Sequence, residues 1–182
     1  MTTETHILPL EDLEKFIACL NKLPKELLPY GAAAALCLGT GRRIGEILKM
    51  RKCDIFSAEG EPLQRISFFR AATRNGKIVG EKKVTIIFPW VKLGKPVCRW
   101  YKSRKRSSKQ EALFTTRTPS PCGKYSVYLK EIARLAGIEP GKINFETLRK
   151  NAPKLRFLEA IALLEMEDQL PRLRKFAEFL NK

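Results

Sequence analysis

The feature that most constrains the fold is a short β-rich stretch lying between helical segments. Within 65–88, two runs of β-branched and aromatic residues flank the dipeptide Asn75-Gly76. Such residues favour strands, and Asn-Gly is a strong hairpin-turn signal because both residues accept positive φ. We therefore predict an antiparallel β-ribbon from about Arg65 to Phe88, with Asp54 to Phe56 as a candidate third strand.

Apolar residues on both sides of this stretch recur at three- and four-residue spacing, which is typical of amphipathic helices. The predicted helices cover about 8–22, 25–38, 42–50, 90–103, 124–136, 146–166 and 168–180. Pro153 is expected to kink or restart the helix that contains it, because proline has no N–H to donate. The pattern predicts an α+β, mostly helical fold over 1–182, in which a small antiparallel ribbon packs on a helical bundle.

The chain is strongly basic, with 35 Lys and Arg against 19 Asp and Glu and a net charge of +16. An excess of this size suits a polyanionic partner, and nucleic acid is the commonest one. The one histidine, His6, lies in a polar tail, and the five cysteines lack metal-binding spacing, so we expect no metal and no other cofactor. We also expect no membrane association and a cytoplasmic location, because the sequence has no long apolar run and no signal-peptide pattern.

Thr40-Gly41 is followed by a segment that carries two arginines and an acid. The Thr-Gly pair marks a turn, since glycine accepts backbone angles closed to other residues. Arg43 and Glu46 lie three residues apart and share a helical face. An arginine at a helix start opposes the helix dipole, so we expect a specific use for it, such as gripping a phosphate bidentately. The alternative is a surface helix with a chance charge pair.

This segment resembles the first conserved box of the tyrosine recombinases, the phage-integrase family, which runs T-G-x-R-x-x-E and ends in an aspartate. The matching positions are Thr40, Gly41, Arg43, Glu46, Ile47, Met50 and Asp54. The resemblance implies that Arg43 is the first catalytic arginine, which holds the scissile phosphate, and that Glu46 is a supporting acid. It is strongest over 8–165, and the N-terminal core-binding domain that usually precedes this one is missing.

The second box of the family, H-x-L-R-[HK], resembles residues 146–150. Arg149 matches the second catalytic arginine, and Lys150 matches the final position. Glu146 stands where the family has histidine, and a carboxylate repels phosphate and cannot donate a proton at neutral pH. The alternative is that Arg149 is an ordinary exposed helix residue.

The family's general acid is a lysine in the turn of the ribbon, and Lys77 lies in that turn. Arg74 could occupy the lysine's place instead, although arginine is a poor proton donor because its pKa is too high. The residues predicted to contact DNA phosphates are Arg42, Arg74, Lys82, Lys83, Arg104, Lys105, Arg106 and Arg172. The alternative for each is a solvated surface charge.

The family cleaves DNA with a tyrosine that follows the second arginine, in a late helix. All four tyrosines of this chain precede Arg149, and the matching place falls near Phe179 to Lys182. We therefore predict a degenerate relative of the enzymes of DNA integration and recombination, one that binds double-stranded DNA without cleaving it. The chain itself or a related recombinase is a further candidate partner.

Two alternatives stay open from the sequence. The chain could be an active recombinase whose tyrosine is supplied in trans or is missing from this sequence. It could also be a non-enzymatic basic scaffold that binds nucleic acid, including RNA. Against the second, its aromatic residues do not form a recognisable platform for stacking bases.

Overall fold

The computed structural model describes residues 7–74, 77–104, 112–114 and 121–166. The fold is mostly helical with one small two-stranded antiparallel sheet, as the sequence predicted. The helices are α1 (Leu10–Leu20), α2 (Leu28–Thr40), α3 (Ile44–Ile47), α4 (Trp90–Ser103), α5 (Pro121–Leu135) and α6 (Phe145–Met166), and the strands are β1 (Arg65–Arg74) and β2 (Lys77–Ile87). Short 3₁₀ turns occur at Lys25–Leu27, Lys52–Asp54 and Pro140–Lys142.

Helix α2 is the centre of the molecule. Its sequence carries no charged residue, and every residue from Gly31 to Thr40 is buried. A helix that is apolar on all sides must be covered on all sides. Helices α1, α4, α5 and α6 supply that cover. The small side chains of Ala32 to Ala35 permit this close packing. The buried helix α2 therefore positions the segment that follows its C-terminal end.

The C-terminal end of α2 is determined by Thr40 and Gly41. Gly41 has a φ of 71°, in the left-handed region that favours glycine. The Thr40 hydroxyl donates to the carbonyl of Leu36 at 2.6 Å and accepts the amide N–H of Arg42 at 3.3 Å. A Cβ at Gly41 would lie 3.3 Å from the Cβ of Ala152 on α6. Glycine here both ends the helix and lets the chain pass close to α6.

The segment after Gly41 is less helical than the sequence indicated. The predicted helix over 42–50 is reduced to the four residues of α3, and Arg43 is its extended N-cap residue. After α3 the backbone bonds shorten to i→i+3, and the carbonyl of Met50 accepts the amide of Leu113 at 2.8 Å. The segment beyond α3 thus tightens into i→i+3 turns and then pairs with a distant part of the chain.

The predicted third strand at Asp54 to Phe56 is wrong. The Asp54 carboxylate accepts the backbone N–H of Arg51 at 2.7 Å, which closes a 3₁₀ turn over Lys52–Asp54. Short acidic side chains commonly bond nearby backbone groups in this way and so compete with strand pairing. Phe56 makes only an isolated bridge to Pro62.

The ribbon over 65–88 is confirmed. Its strands pair from Arg65 with Ile87 to Arg74 with Lys77, with one irregularity at Ala72/Thr73. The two turn residues, 75–76, lie outside the described residues. Alternate residues at the base of the ribbon face the core, since side chains of a strand alternate between its faces. These buried residues are Ile66, Phe68, Ile86 and Phe88.

Helix α4 has the predicted bounds of 90–103. Helix α5 begins slightly earlier than predicted and is followed by Gly137, whose φ is 71°. Helix α6 runs through Pro153 without a restart, so of the two predicted effects of this proline the restart is wrong. His6, the predicted helix at 168–180 and the candidate DNA contacts Lys105, Arg106 and Arg172 lie outside the described residues.

Candidate nucleic-acid interface

The two segments that carry the candidate arginines lie side by side. Gly41 approaches α6 at Ala152 and at the carbonyl of Arg149. Pro153 has no N–H to bond that carbonyl within the helix. The first segment therefore meets the second where α2 ends against the early turns of α6.

The charged side chains of these segments also act on one another. Hydrogen bonds from Arg149 lower the pKa of Glu146, and the positive charges of Lys150 and Arg43 lower it further. In the reverse direction, Glu46 adds to the rise in the pKa of Arg149 that Glu146 chiefly causes. We call this group the arginine cluster, which consists of Arg43, Glu46, Glu146, Arg149 and Lys150.

Within the arginine cluster, Arg149 is held by Glu146 from its own helix. The Arg149 Nε–H donates to Oε2 of Glu146 at 2.8 Å, and its Nη2 donates to the other carboxylate oxygen. The two side chains retain 35% and 41% of their exposure, so the pair lies at the surface. This is the bidentate geometry in which arginine also binds phosphate.

Glu46 organises the other half of the cluster through the backbone of Arg43 and the side chain of Arg42. Its Oε2 accepts the backbone N–H of Arg43 at 2.9 Å and so caps α3. Its Oε1 lies 3.5 Å from Nη1 of Arg42. Arginine has no acceptor atom, so the Arg43 side chain cannot return the bond as the first residue of a full capping box does.

Arg42 is a packing residue. Its side chain is only 10% exposed, and its guanidinium lies 4.7 Å from the centre of the Phe68 ring. A guanidinium over an aromatic face is attracted by the negative charge of the ring. Arg42 therefore attaches the start of α3 to strand β1, and its burial does not support the prediction that it contacts DNA.

Arg43 is oriented differently from its neighbour. It is exposed, and its guanidinium makes no hydrogen bond or ion pair within the described part of the chain. Lys150 is likewise exposed, on the first turns of α6. These two cations, beside Arg149, leave the surface of the cluster able to accept an anion from solvent.

Lys49 is a further cation that the sequence did not single out. It is exposed, and with Glu46, Arg51 and Ser67 it lines a depression of about 350 Å³ between the cluster and the base of the ribbon. The residue follows a short apolar stretch and carries no motif. Its place near the base of the ribbon depends on α3 and β1 being neighbours, which the sequence does not indicate.

The ribbon residues are placed through their backbone pairs. Lys82 pairs with Arg70, and Lys83, which is exposed, pairs with Phe69. Lys77 is at the outer end of the ribbon, beside Arg74. With about 3.3 Å per residue, that end lies roughly 20 Å along the strand from Phe68, which contacts Arg42. Lys83 is thus nearer to the cluster along the ribbon than Lys77 is.

Three of the tyrosines form a cluster near the N-terminal end of α2, whereas the arginine cluster lies near the C-terminal end of that helix. Tyr30 stacks on Tyr128 at 3.9 Å between ring centres and meets Tyr125 edge-on at 4.9 Å. Burial raises the pKa of Tyr125 to about 12, which disfavours the phenolate. Ten residues of α2 separate Tyr30 from Thr40, about 15 Å along the helix. The remaining tyrosine, Tyr101, stacks on Phe56 at 3.9 Å.

Arg104 is also engaged away from the cluster. Its guanidinium lies 5.5 Å from the centre of the Trp100 ring, and its carbonyl accepts Nζ of Lys52 at 2.8 Å. Lys52 is only 4% exposed, and its ammonium is 6.0 Å from the centre of the Tyr101 ring. No sequence signal marked Lys52 as a buried lysine. The contact fixes the end of α4 against the 3₁₀ turn at Lys52–Asp54.

Replacing Glu46 by alanine is expected to lower the free energy of unfolding by about 1 kcal/mol. The variant loses the acceptor for the Arg43 amide, and the loss of a helix cap typically costs about this much stability. The pairing with Arg42 adds little because Glu46 is 42% exposed. Urea unfolding followed by circular dichroism measures the change, with Glu14→Ala, at an exposed position of α1, as the control. Equal stabilities of the two variants would contradict the capping role.

Over the described residues, no group of three or more histidine, cysteine or acidic side chains could hold a metal ion. The same residues contain no helix long and apolar enough to cross a bilayer. Searches against protein-family models, curated proteins and solved structures found no match to this chain. The arguments about function therefore rest on the fold and on the arginine cluster.

Proposed function

We propose that this protein binds double-stranded DNA through the arginine cluster, as a non-cleaving domain of the tyrosine-recombinase kind. The observation that supports the proposal best is that the segments of Arg43 and Arg149, far apart in the sequence, pack together at Gly41 and α6, and that both arginines lower the pKa of Glu146. The order of elements adds support, because a ribbon lies between the two arginine segments and helices surround them. The net charge of +16 supplies the long-range attraction to a polyanion.

Duplex DNA is a better candidate than single-stranded RNA. Proteins that bind single strands commonly stack bases on exposed aromatic rings. Here most described rings pack against one another, as in the pairs Tyr30–Tyr128 and Phe56–Tyr101. Phe157, on α6, is an exposed ring, and one isolated ring makes no platform. The cations of the cluster attract the phosphates of either nucleic acid, but a duplex carries them at the higher density.

The lack of cleavage is proposed from three features. No tyrosine follows Arg149 in the sequence. The four tyrosines present are engaged in ring contacts, three of them at the far end of α2. Glu146 stands where a proton-donating histidine is expected. An attack on a phosphodiester needs a nucleophile and a proton for the leaving oxygen, and the cluster supplies only positive charge.

Binding to a duplex labelled with a fluorophore tests the proposal directly. We expect Arg43→Ala and Arg149→Ala each to weaken binding about tenfold, the size of a lost charged hydrogen bond of roughly 1–3 kcal/mol. Fluorescence anisotropy at fixed salt measures the dissociation constants. Wild-type affinity in the Arg43→Ala variant would contradict the proposal.

Arg134→Ala is a matched control for this experiment. Arg134 is an exposed arginine on α5 and pairs with Glu131 at the same i,i+3 spacing as Arg149 with Glu146. Its neighbour Leu135 lines a groove with Leu23, and Leu23 contacts Gly31 near the start of α2. The control thus removes one arginine from the end of the molecule opposite the cluster, and we expect less than about a twofold change.

A nicked suicide duplex tests the alternative of an active recombinase. Such a substrate traps a protein–DNA adduct because the cleaved strand diffuses away. We expect the chain alone to form no adduct that survives denaturing electrophoresis, since no tyrosine is proposed to reach the phosphate. A covalent band would instead favour the active alternative, and its loss in single tyrosine variants would identify the nucleophile.

A further inference from the structure

We propose that Glu146 is an internal competitor for DNA phosphate, whose carboxylate occupies the edge of the Arg149 guanidinium that the backbone phosphate would bind. The inference rests on the proposed function and goes one step further. It assigns to one residue the control of how strongly the arginine cluster binds an anion.

The geometry of the pair carries the inference. Glu146 engages Nε and Nη2 of Arg149, one of the guanidinium edges that present two parallel N–H donors. Phosphate binds arginine through the same type of edge, with two of its oxygens in the places of the two carboxylate oxygens. The carboxylate and a phosphate cannot occupy that edge at once. Binding DNA through this edge of Arg149 therefore requires Glu146 to leave.

The surroundings of Glu146 distinguish it from an ordinary helix-surface acid. Three cations act on its carboxylate, namely Arg149, Lys150 and Arg43, and each lowers its pKa. The carboxylate is consequently ionised at neutral pH and lies where several positive charges meet. By contrast, Glu131 makes a single contact of 2.8 Å with Nη1 of Arg134. An acid amid converging cations resembles a bound anion, whereas the Glu131 contact is a simple surface pair.

Two neutral replacements of Glu146 test the inference. Glu146→Gln keeps the shape of the side chain and removes its charge, and Glu146→Ala removes the contact as well. We expect both variants to bind a labelled duplex about tenfold more tightly than the wild type in 0.15 M salt. The slope of log K against log salt should stay the same, because Arg149 contacts one phosphate in the wild type and in both variants.

Glu131→Gln is the matched control, because it raises the net charge by the same single unit and also frees an arginine at i,i+3 spacing. We expect it to change affinity less than twofold. In a background of Arg149→Ala, the replacement of Glu146 should give no comparable gain, because the competed group is absent. A double-mutant cycle over Glu146 and Arg149 isolates this coupling from the added charge.

Several outcomes would overturn the inference. Equal gains from the changes at Glu146 and Glu131 would mean that only net charge matters, and a gain that persists without Arg149 would mean the same. Unchanged binding in both Glu146 variants, while Arg43→Ala still weakens it, would refute the competitor and leave the DNA-binding proposal intact. No measurable binding by the wild type and both Glu146 variants would contradict both. Thermal unfolding of each variant verifies the fold, which should persist because Glu146 is 41% exposed.

Discussion

Replacing Gly39 by alanine is expected to lower the free energy of unfolding by about 2 kcal/mol, although alanine is the better helix former. A Cβ at Gly39 would lie 2.4 Å from Cε2 and 2.8 Å from Cδ2 of Phe88, distances that no packed carbon atoms adopt. Overpacking a core costs up to about 3 kcal/mol. The gain in helix propensity returns about 1 kcal/mol, so the clash decides the sign.

The Phe88 ring has little freedom to move away. It is 2% exposed and meets the Trp90 ring edge-on at 4.7 Å between centres. The Trp90 indole is itself held, because its Nε1 donates to the carbonyl of Leu63 at 2.8 Å. The base of the ribbon is thus pinned to α2 through Gly39. A shift of Phe88 would disturb both the base of the ribbon and α2. We therefore expect a loss of stability well above that of a surface substitution.

Gly45→Ala provides the matched control. Apart from its chain neighbours and its own helix backbone, no atom of the described residues lies within 4 Å of a Cβ at Gly45, and its φ is not in the left-handed region. The same substitution in this helical position should therefore stabilise the protein by about 0.5–1 kcal/mol. Urea unfolding followed by circular dichroism compares the two variants. A common sign for both would show that helix propensity, not the contact with Phe88, governs Gly39.

Where local signals were strong, the sequence predicted the fold well. The ribbon was identified by β-branched residues around Asn75-Gly76, and it extends over the predicted range. Helix α4 begins and ends as predicted, because its apolar residues recur at helical spacing over a full length. Gly41 was recognised as a turn residue, and its positive φ supplies the reason. Each of these features depends on interactions between residues near one another in the chain.

Features that depend on distant partners were predicted poorly. Just beyond α3, the Leu113 amide donates to the Met50 carbonyl, a bond that no local pattern could indicate. Arg42 and Arg43 are adjacent and chemically identical, yet one is buried over Phe68 and the other is exposed. Which of two neighbouring arginines meets the core is decided by where β1 lies. Burial of Lys52 under Tyr101 has the same kind of cause.

For the candidate site, the sequence could indicate candidate residues but not the contacts that they make. The spacing of Arg43 and Glu46 predicted a shared helical face, and Glu46 binds the Arg43 amide and the Arg42 guanidinium. The spacing of Glu146 and Arg149 also allows an ion pair on a helix. The pair lies beside Arg43 because α2 and α6 pack together. This packing is tertiary structure, which the local sequence pattern does not indicate.

Affinity for duplex DNA is expected to fall by roughly 10² to 10³ when the salt concentration rises from 50 to 200 mM. The estimate takes about four to six phosphate contacts, each of which contributes about −0.9 to the slope of log K against log salt. The candidates for these contacts among the described residues are Arg43, Lys49, Lys83, Arg149 and Lys150. Anisotropy titrations at four or more salt concentrations measure the slope.

The slope can also separate binding at a defined site from binding by net charge. Removing Arg43 and Arg149 together should make the slope shallower by up to about 1.8, two contacts at about 0.9 each. Removing Lys130 and Arg134, two exposed cations of α5, lowers the net charge by the same amount and should leave the slope unchanged. Similar slopes for the two double variants would mean that DNA is held by diffuse charge alone. The arginine cluster contains no aromatic ring on which unpaired bases could stack. Binding to single-stranded RNA that equals or exceeds binding to the duplex would therefore favour a general basic scaffold.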